Sequence, residues 1–128
     1  MAMVKDRLNS FKYAFKGVKD LFANTPNAKI HLAMAILVMI FGLLFEISIT
    51  EWCLCFLAIA MVLAAEAFNT AIEYLTDLVS PDFHVLAGKT KDVAAAGVLL
   101  TSIGAAIVGL IIFLPKGWHW FSTYFSLY

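Results

Sequence analysis

The chain has 128 residues, of which 62% are hydrophobic and 14% are charged, and its mean hydropathy is +0.89. One small domain of this composition is too apolar for a soluble fold, so we expect it to lie in a membrane. Nine Lys and Arg residues balance nine Asp and Glu residues. The chain therefore lacks the net positive charge with which nucleic-acid-binding proteins neutralise phosphates, and we expect no nucleic-acid partner.

The first predicted element is an amphipathic helix over residues 1–23, with its lysines on one side and a break at Pro26 after it. A soluble helix that packs on a partner has the same period. Because a membrane span follows directly, we favour a helix lying in the headgroup plane. The apolar residues recur at intervals of three and four: Leu8, Phe11, Phe15, Val18 and Phe22.

Three apolar stretches follow, at residues 29–49, 52–79 and 92–114, each near the length of about 20 residues that crosses a bilayer. Pro115 and Gly117 are expected to end the third helix, which leaves residues 115–128 as an interfacial tail. We predict an all-α integral membrane protein with three transmembrane helices, the second extending into the cytoplasm, and an N-terminal surface helix. The tail contains an aromatic belt of Trp118, Trp120, Tyr124 and Tyr128.

The positions of the cations predict the orientation. Six of the nine lie before or at the first residue of the first span, Lys89 and Lys91 lie between the second and third spans, and only Lys116 lies beyond the third. The turn between the first two spans contains Glu46 and Glu51 and no cation. By the positive-inside rule the N-terminus is cytoplasmic and the C-terminus faces outward, as three spans require.

A polar stripe on the second predicted span is the first candidate for chemistry. Its members fall within about 100° of arc on one helix. An ionised carboxylate at the end of an apolar run must face protein, water or a cation, or be protonated. The alternative is a solvated face of a helix that has left the membrane, which we favour for Asp77, whereas we favour a function for Glu66. The stripe consists of Glu66, Asn69, Thr70, Glu73 and Asp77.

The order of these groups fits phosphoryl transfer from a cytoplasmic nucleotide to a hydroxyl in the membrane. Glu66, in the more apolar surroundings, is the candidate general base. Glu73 lies two turns nearer the cytoplasm, where it retains its charge and binds a hard divalent cation through oxygen. Asn69, which has both a donor and an acceptor, can orient either carboxylate.

A second cluster follows at residues 80–92. We expect Lys91 and Asp92 at a helix N-terminus, where free N–H groups and the helix dipole favour phosphate, with Asp92 capping the helix or holding Lys91. Juxtamembrane charge that fixes the topology is an equally good interpretation. The segment Gly88-Lys89-Thr90 is superficially like the end of a Walker A loop, but Phe83 stands where its first glycine belongs, so we discard that interpretation.

Two further features have simpler interpretations. His31, at the base of the first span, is interpreted as an interface residue rather than a ligand. Small residues along the third span permit close helix contacts, either within one chain or between copies: Ala94, Ala95, Ala96, Gly97, Gly104, Ala105, Ala106 and Gly109.

Three motifs in order resemble those of the prokaryotic diacylglycerol kinase family, the small integral-membrane lipid kinases that include undecaprenol kinase. They are Glu-Ala-Phe-Asn-Thr-Ala-Ile-Glu at residues 66–73, Ser-Pro-Asp-Phe-His at residues 80–84 and Lys-Asp-Val-Ala-Ala at residues 91–95. The resemblance covers roughly residues 5 to 114. The segment Asn-Ala-Lys-Ile-His at residues 27–31 looks more like the undecaprenol kinase branch than the diacylglycerol kinase branch.

The resemblance implies a homotrimer whose active sites are shared between neighbours. It implies ATP and Mg²⁺ as co-substrate and cofactor, and transfer of the γ-phosphoryl group to a lipid hydroxyl of diacylglycerol or undecaprenol in a prokaryotic cell membrane. Carried over by position, Glu66 is the general base, Asn69 its support and Glu73 a magnesium ligand. The implied nucleotide contacts are Tyr13, Asp82, His84, Lys91 and Asp92.

The chain departs from the family pattern in two places. Thr25 stands where the family usually has a second metal-binding glutamate, and Lys29 replaces the usual arginine. The nearest acid upstream is Asp20. Either nucleotide phosphates and water complete the metal site, or the protein is a slow or inactive homologue that binds lipid. A non-enzymatic assembly subunit or ion pathway is the remaining alternative, and the apolar outer halves of the spans disfavour a pathway.

Overall fold

The computed structural model describes the backbone of residues 2–125 and the side chains of residues 7–123. Within this part of the chain there are four helices and no strand: α1 (Ala2–Asn24), α2 (Pro26–Leu44), α3 (Ile49–Val79) and α4 (Val85–Phe125). The last three are long and apolar enough to cross a membrane. The structure thus confirms the predicted all-α fold with three candidate membrane spans.

Local sequence fixes where α2 and α3 begin. Thr25 is extended, and Pro26 opens α2 in the first turn, where its missing N–H leaves no hydrogen bond unmade. Ser48 begins α3 with a capping box. The Glu51 N–H donates to Ser48 Oγ at 3.3 Å, and Glu51 Oε2 accepts the Ser48 N–H at 2.7 Å. These two features set where the first two spans begin.

The predicted bounds of the third span need correction at both ends. The helix begins at Val85, seven residues before the predicted start at Asp92, because His84 Nδ1 accepts the Leu86 N–H at 3.2 Å and caps the first turn. Pro115 and Gly117 do not end α4, which continues to Phe125. Proline removes one backbone donor, and a long apolar helix tolerates that loss.

The tail predicted at residues 115–128 is therefore helical as far as the structure describes it. Trp118 and Trp120 lie exposed on the end of α4, as expected for interfacial residues. The side chain of Tyr124 and the whole of Tyr128, the other predicted members of the aromatic belt, lie outside the described residues.

The helices pack mainly as an α3–α4 hairpin, with α2 against α3 and the end of α1 against both α2 and α3. An apolar cluster closes the end near the α2–α3 turn. There Gly42 lies so close to the Trp52 ring that a Cβ at this position would overlap it, and Lys116 pairs with Glu51 at 3.4 Å. The buried members of the cluster are Ile47, Cys55 and Ile112.

Most large apolar side chains of this single chain are exposed. Leu57 and Leu110 on the spans are about three-fifths exposed, and so is Phe11 on α1, while Leu21 at the end of α1 is buried. Exposed apolar side chains are stable in hydrocarbon or against other chains, but not in water. This distribution agrees with a membrane protein.

Candidate active site

Three neighbouring polar side chains on one face of α3 are buried. Glu66 is 0% exposed, Asn69 5% and Thr70 6%. Neither carboxylate oxygen of Glu66 has a hydrogen-bond partner among the described residues, and Asn69 Oδ1 has none either. A buried polar atom without a partner costs about 1–3 kcal/mol. These atoms therefore mark a place where a group from outside the single chain is expected.

Asn69 orients one of the two candidate carboxylates. Its Nδ2 donates to Glu73 Oε1 at 2.9 Å, across one turn of α3. This bond leaves Asn69 Oδ1 as the acceptor available to another group. Of the two orientations that the sequence allowed, the structure selects Glu73, which is half-buried and lies toward the α3–α4 loop.

Helix α2 lines the opposite side of this stripe. Thr25 Oγ1 lies 3.5 Å from Thr70 Oγ1, and Ala28 is fully buried. His31, which the sequence analysis interprets as an interface residue, lines a groove together with Val62 and Leu63, on the turn of α3 that precedes Glu66. The signal that could have identified His31 is its place on the same stripe of α2 as Thr25 and Ala28, three residues further along.

The end of α1 is fixed to α3 beside Glu73. Asp20 accepts two hydrogen bonds, from Asn24 Nδ2 at 2.7 Å and from the Tyr74 hydroxyl at 3.0 Å. Tyr13 lies on the same face of α1 as Asp20, two turns earlier and about 10 Å along the axis. The structure therefore leaves Tyr13 exposed and apart from the buried stripe.

Lys91 is joined to α3 through Asp77. Its Nζ forms an ion pair with Asp77 Oδ1. Asp77 is solvent-exposed, as the sequence analysis favours, and is also the partner of Lys91. The expectation that Asp92 caps the helix is wrong, because α4 begins at Val85 and places Asp92 about two turns inside it. The alternative that Asp92 holds Lys91 is wrong too, because Lys91 pairs with Asp77. The backbone N–H groups at Lys91 are thus used within the helix, and any phosphate there must bind the side chain.

The loop before α4 presents two of the predicted nucleotide contacts to solvent. Asp82 and His84 are both exposed, and the Ser80 hydroxyl donates to the Asp82 carbonyl oxygen at 3.2 Å. Because His84 Nδ1 accepts the Leu86 N–H, Nε2 is the nitrogen of this ring that remains for a ligand. The free N–H groups of the α4 N-terminus also lie here, and not at Lys91.

The acidic residues fit magnesium only in part. In the portion of the chain that the structure describes, no three His, Cys, Asp or Glu side chains gather in a cluster that could hold a metal ion. Mg²⁺ is, however, commonly held by one or two carboxylates together with substrate phosphates and water. The single oriented carboxylate of Glu73 suits that arrangement, and Thr25 supplies no second one.

Residues 12–113 match the family model described as prokaryotic diacylglycerol kinase. The chain belongs to the prokaryotic diacylglycerol kinase family. Among its curated relatives, the undecaprenol kinase of Bacillus subtilis (strain 168) is 41% identical over 84% of this chain and 87% of the relative. The diacylglycerol kinase of Synechocystis sp. is 38% identical over 84% of this chain and 62% of the relative. The diacylglycerol kinase of Haemophilus influenzae is 32% identical over 81% of this chain and 86% of the relative.

Membership of this family of kinases makes the chain a lipid kinase of the diacylglycerol kinase or undecaprenol kinase type. The match begins within α1, near Tyr13, and ends just before Pro115. It therefore includes the buried stripe of α3, the facing part of α2 and the α3–α4 loop.

Proposed function

We propose that this lipid kinase transfers the γ-phosphoryl group of ATP, with Mg²⁺, to the hydroxyl of diacylglycerol or undecaprenol. The observation that carries the proposal is the Glu66 carboxylate, fully buried and without a hydrogen-bond partner among the described side chains. A carboxylate placed in this way is suited to accept a proton from an alcohol that enters from the membrane.

We assign the remaining roles from the position of each group together with the family resemblance. Glu73, oriented by Asn69, would hold Mg²⁺ together with the nucleotide phosphates, and the bound ion supplies charge neutralisation for the transferred group. Lys91 exchanges its bond with Asp77 for one with a phosphate oxygen. We assign His84 and Asp82, which are exposed on the loop before α4, to nucleotide contacts, with Asp92 and Tyr13 as the further contacts that the family resemblance suggests.

A groove between α2, α3 and α4 leads away from this site. It has a volume of about 810 Å³, and the residues that line it are apolar except for His31 at one end and Ser102. It extends past Phe41 and Phe45 toward the α2–α3 turn. In this proposal the groove accommodates hydrocarbon of the acceptor lipid, and the lipid hydroxyl lies just past the His31 end of the groove, within hydrogen-bond reach of Glu66.

We further propose a homotrimer in the prokaryotic cell membrane, with the N-terminus cytoplasmic, the C-terminus outside and α1 in the headgroup plane. The distribution of cations supports the orientation. The exposed apolar face of α1 supports its position. The unpartnered atoms of Glu66 and Asn69 support a site completed by a neighbouring subunit or by substrate.

Purified protein in detergent, supplied with radiolabelled ATP and a panel of diacylglycerol and polyprenol acceptors, tests this proposal. We expect labelled lipid phosphate with at least one acceptor, only when Mg²⁺ is present. No labelled product with any acceptor would favour the second candidate, an impaired homologue that binds lipid. The substitution of a metal-binding glutamate by Thr25 motivates that candidate.

A further inference from the structure

Helix α1 is buried only at its last turn, within the part of the chain that the structure describes. Leu21 is buried there, whereas the side chains of residues 7–20 are exposed. The helix packs against α2 and α3, and the extended residue Thr25 separates it from α2. A helix with so little buried surface keeps one orientation only where specific contacts fix it.

One such contact is a hydrogen bond between α1 and α3. The Tyr74 hydroxyl donates to Asp20 Oδ2 at 3.0 Å. The other oxygen of this carboxylate accepts a hydrogen bond from Asn24 Nδ2 at 2.7 Å, within α1. Asp20 is thus held by its own helix on one side and by α3 on the other. Hydrogen bonds to a carboxylate are stronger than those between neutral groups. We call the hydrogen bond between Tyr74 and Asp20 the clasp.

The clasp fixes which side of α1 is turned to α3. Because of the helical period, Tyr13 and Lys16 lie on the same side of α1 as Asp20, seven and four residues before it. Lys16 Nζ lies 5.7 Å from the centre of the Tyr13 ring. Phe11 and Phe15 lie on the opposite side. The side of α1 that is turned to α3 therefore presents a cation next to an aromatic ring.

The clasp also lies beside the proposed metal ligand. Tyr74 follows Glu73 directly in the chain, and Tyr13 and Lys16 lie about 6–10 Å from Asp20 along the axis of α1. A lysine ammonium group is suited to a phosphate oxygen, and an aromatic ring is suited to stacking on a base. A nucleotide with its phosphates at Glu73 can meet both groups only if α1 keeps this side toward α3.

We propose that Tyr74 is a positioning residue for the nucleotide, which acts through Asp20 by holding the Tyr13 and Lys16 side of α1 toward ATP. The inference rests on the proposed kinase function, and no bond of the reaction forms or breaks at the clasp. Without the clasp, α1 rotates and tilts more freely, so nucleotide binding must also order the helix. The affinity for ATP falls, while the chemistry at Glu66 is unchanged.

This assignment gives Asp20 a role other than metal binding. Asp20 is the acidic residue nearest to Thr25 on the upstream side. Both of its oxygens accept hydrogen bonds from neutral donors, one from Asn24 and one from Tyr74. A carboxylate engaged in this way acts as an acceptor between two helices, and Glu73 is left as the oriented carboxylate for Mg²⁺.

The test measures nucleotide affinity separately from turnover. Tyr74→Phe removes the hydroxyl and keeps the ring. We expect the Kd for a non-hydrolysable ATP analogue, and the KM for ATP, to rise about two- to tenfold, as the loss of one hydrogen bond gives, with kcat unchanged within about twofold. Asp20→Ala should have the same effect. Asp20→Asn keeps an acceptor oxygen for Tyr74 and should bind the analogue as tightly as wild type.

A double variant separates the clasp from a direct contact with the nucleotide. If Tyr74 and Asp20 act through each other, Tyr74→Phe combined with Asp20→Ala should bind the analogue no more weakly than either single variant. Ser122→Ala is the matched control, because it removes another exposed hydroxyl with a 3.0 Å hydrogen bond, at the far end of α4. Its affinity for the analogue should equal that of wild type. Circular dichroism and size-exclusion chromatography verify that each variant is folded.

The orientation of α1 can be measured without nucleotide turnover. Spin labels at Lys19→Cys on α1 and Leu78→Cys on α3, both exposed positions, report the distance between the two helices when the native cysteines are replaced by alanine. We expect Tyr74→Phe to broaden the distance distribution measured by double electron–electron resonance. Addition of the ATP analogue should narrow it again.

The outcomes distinguish this inference from the proposed function. An unchanged affinity in folded Tyr74→Phe, additive effects in the double variant, or an unchanged distance distribution would each overturn the inference and leave the kinase assignment in place. If the wild type binds the analogue but transfers phosphate to no acceptor, the proposed function fails, and the affinity and distance measurements still decide the role of Tyr74. If the wild type binds no nucleotide, both fail.

Discussion

The two ends of the helix bundle are built in opposite ways. Near the α2–α3 turn, Ile47, Cys55 and Ile112 form an apolar cluster, the capping box of Ser48 satisfies the helix end, and Lys116 pairs with Glu51. At the other end, Glu66 and Asn69 are buried with oxygens that lack a partner in the described chain. Burial without hydrogen bonding opposes folding, whereas the apolar cluster favours it.

This contrast indicates that the apolar end stabilises the fold and that the polar end carries the chemistry. Polar groups that cost stability are retained where they perform a reaction, and the rest of the fold offsets that cost. Substitutions at the polar end should therefore change turnover more than stability. Substitutions at the apolar end should do the reverse.

The largest expected effect is on turnover at the polar end. Glu66→Gln removes the proposed base while it keeps the shape of the side chain, so we expect kcat to fall by about 10²- to 10⁴-fold. The melting temperature should stay the same or rise, because a neutral amide is less costly to bury than a carboxylate. Glu46→Gln, in the α2–α3 turn, is the matched control and should keep full turnover. Wild-type kcat in Glu66→Gln would reject Glu66 as the base.

The next effect concerns the metal. Glu73→Gln removes the carboxylate that Asn69 orients, so we expect the Mg²⁺ concentration for half-maximal activity to rise about 10- to 100-fold. Binding of Mn²⁺ in the presence of a non-hydrolysable ATP analogue, followed by electron paramagnetic resonance, gives a second measurement that does not depend on turnover. An unchanged magnesium titration together with unchanged Mn²⁺ binding would contradict the assignment.

A smaller effect, on the KM for ATP, is expected from breaking the ion pair that lies at each end of the bundle. Asp77→Asn frees Lys91 from the carboxylate that competes with phosphate for it, and because the pair is largely exposed we expect only about a two- to fivefold fall in the KM for ATP. Lys116→Met breaks the other pair and should leave this KM unchanged. Equal effects of the two substitutions would show that the pair at Lys91 has no special relation to the nucleotide.

The smallest effect on turnover is expected at the apolar end. Gly42→Ala places a Cβ against the Trp52 ring, which we expect to destabilise the protein by about 1–3 kcal/mol with little change in kcat per folded molecule. Gly17→Ala on α1, where a Cβ meets nothing within 4 Å, is the matched control and should not destabilise. Thermal unfolding in detergent measures both. Loss of kcat without loss of stability in Gly42→Ala would remove the distinction between the two ends.

The fold was largely predictable from the sequence because membrane spans depend on long apolar runs and on few other features. The break before Pro26 was predictable for the same kind of local reason. The two ends of α4 were not. The helix starts early because a side-chain nitrogen of His84 caps its first turn. It continues through Pro115 because the loss of one backbone hydrogen bond is not enough to end a long apolar helix.

The sequence by itself determined the apolar spans and the stripe that places Glu66, Asn69 and Glu73 on one face of a helix, since both depend on periodicity along a single element. Only the tertiary structure decided what meets that face. It brought Thr25 from α2 to the stripe and His31 to the turn of α3 before it, joined Lys91 to Asp77 across α3 and α4, and left Tyr13 and Asp92 exposed. Contacts between helices depend on register and packing, which no pattern within one helix contains.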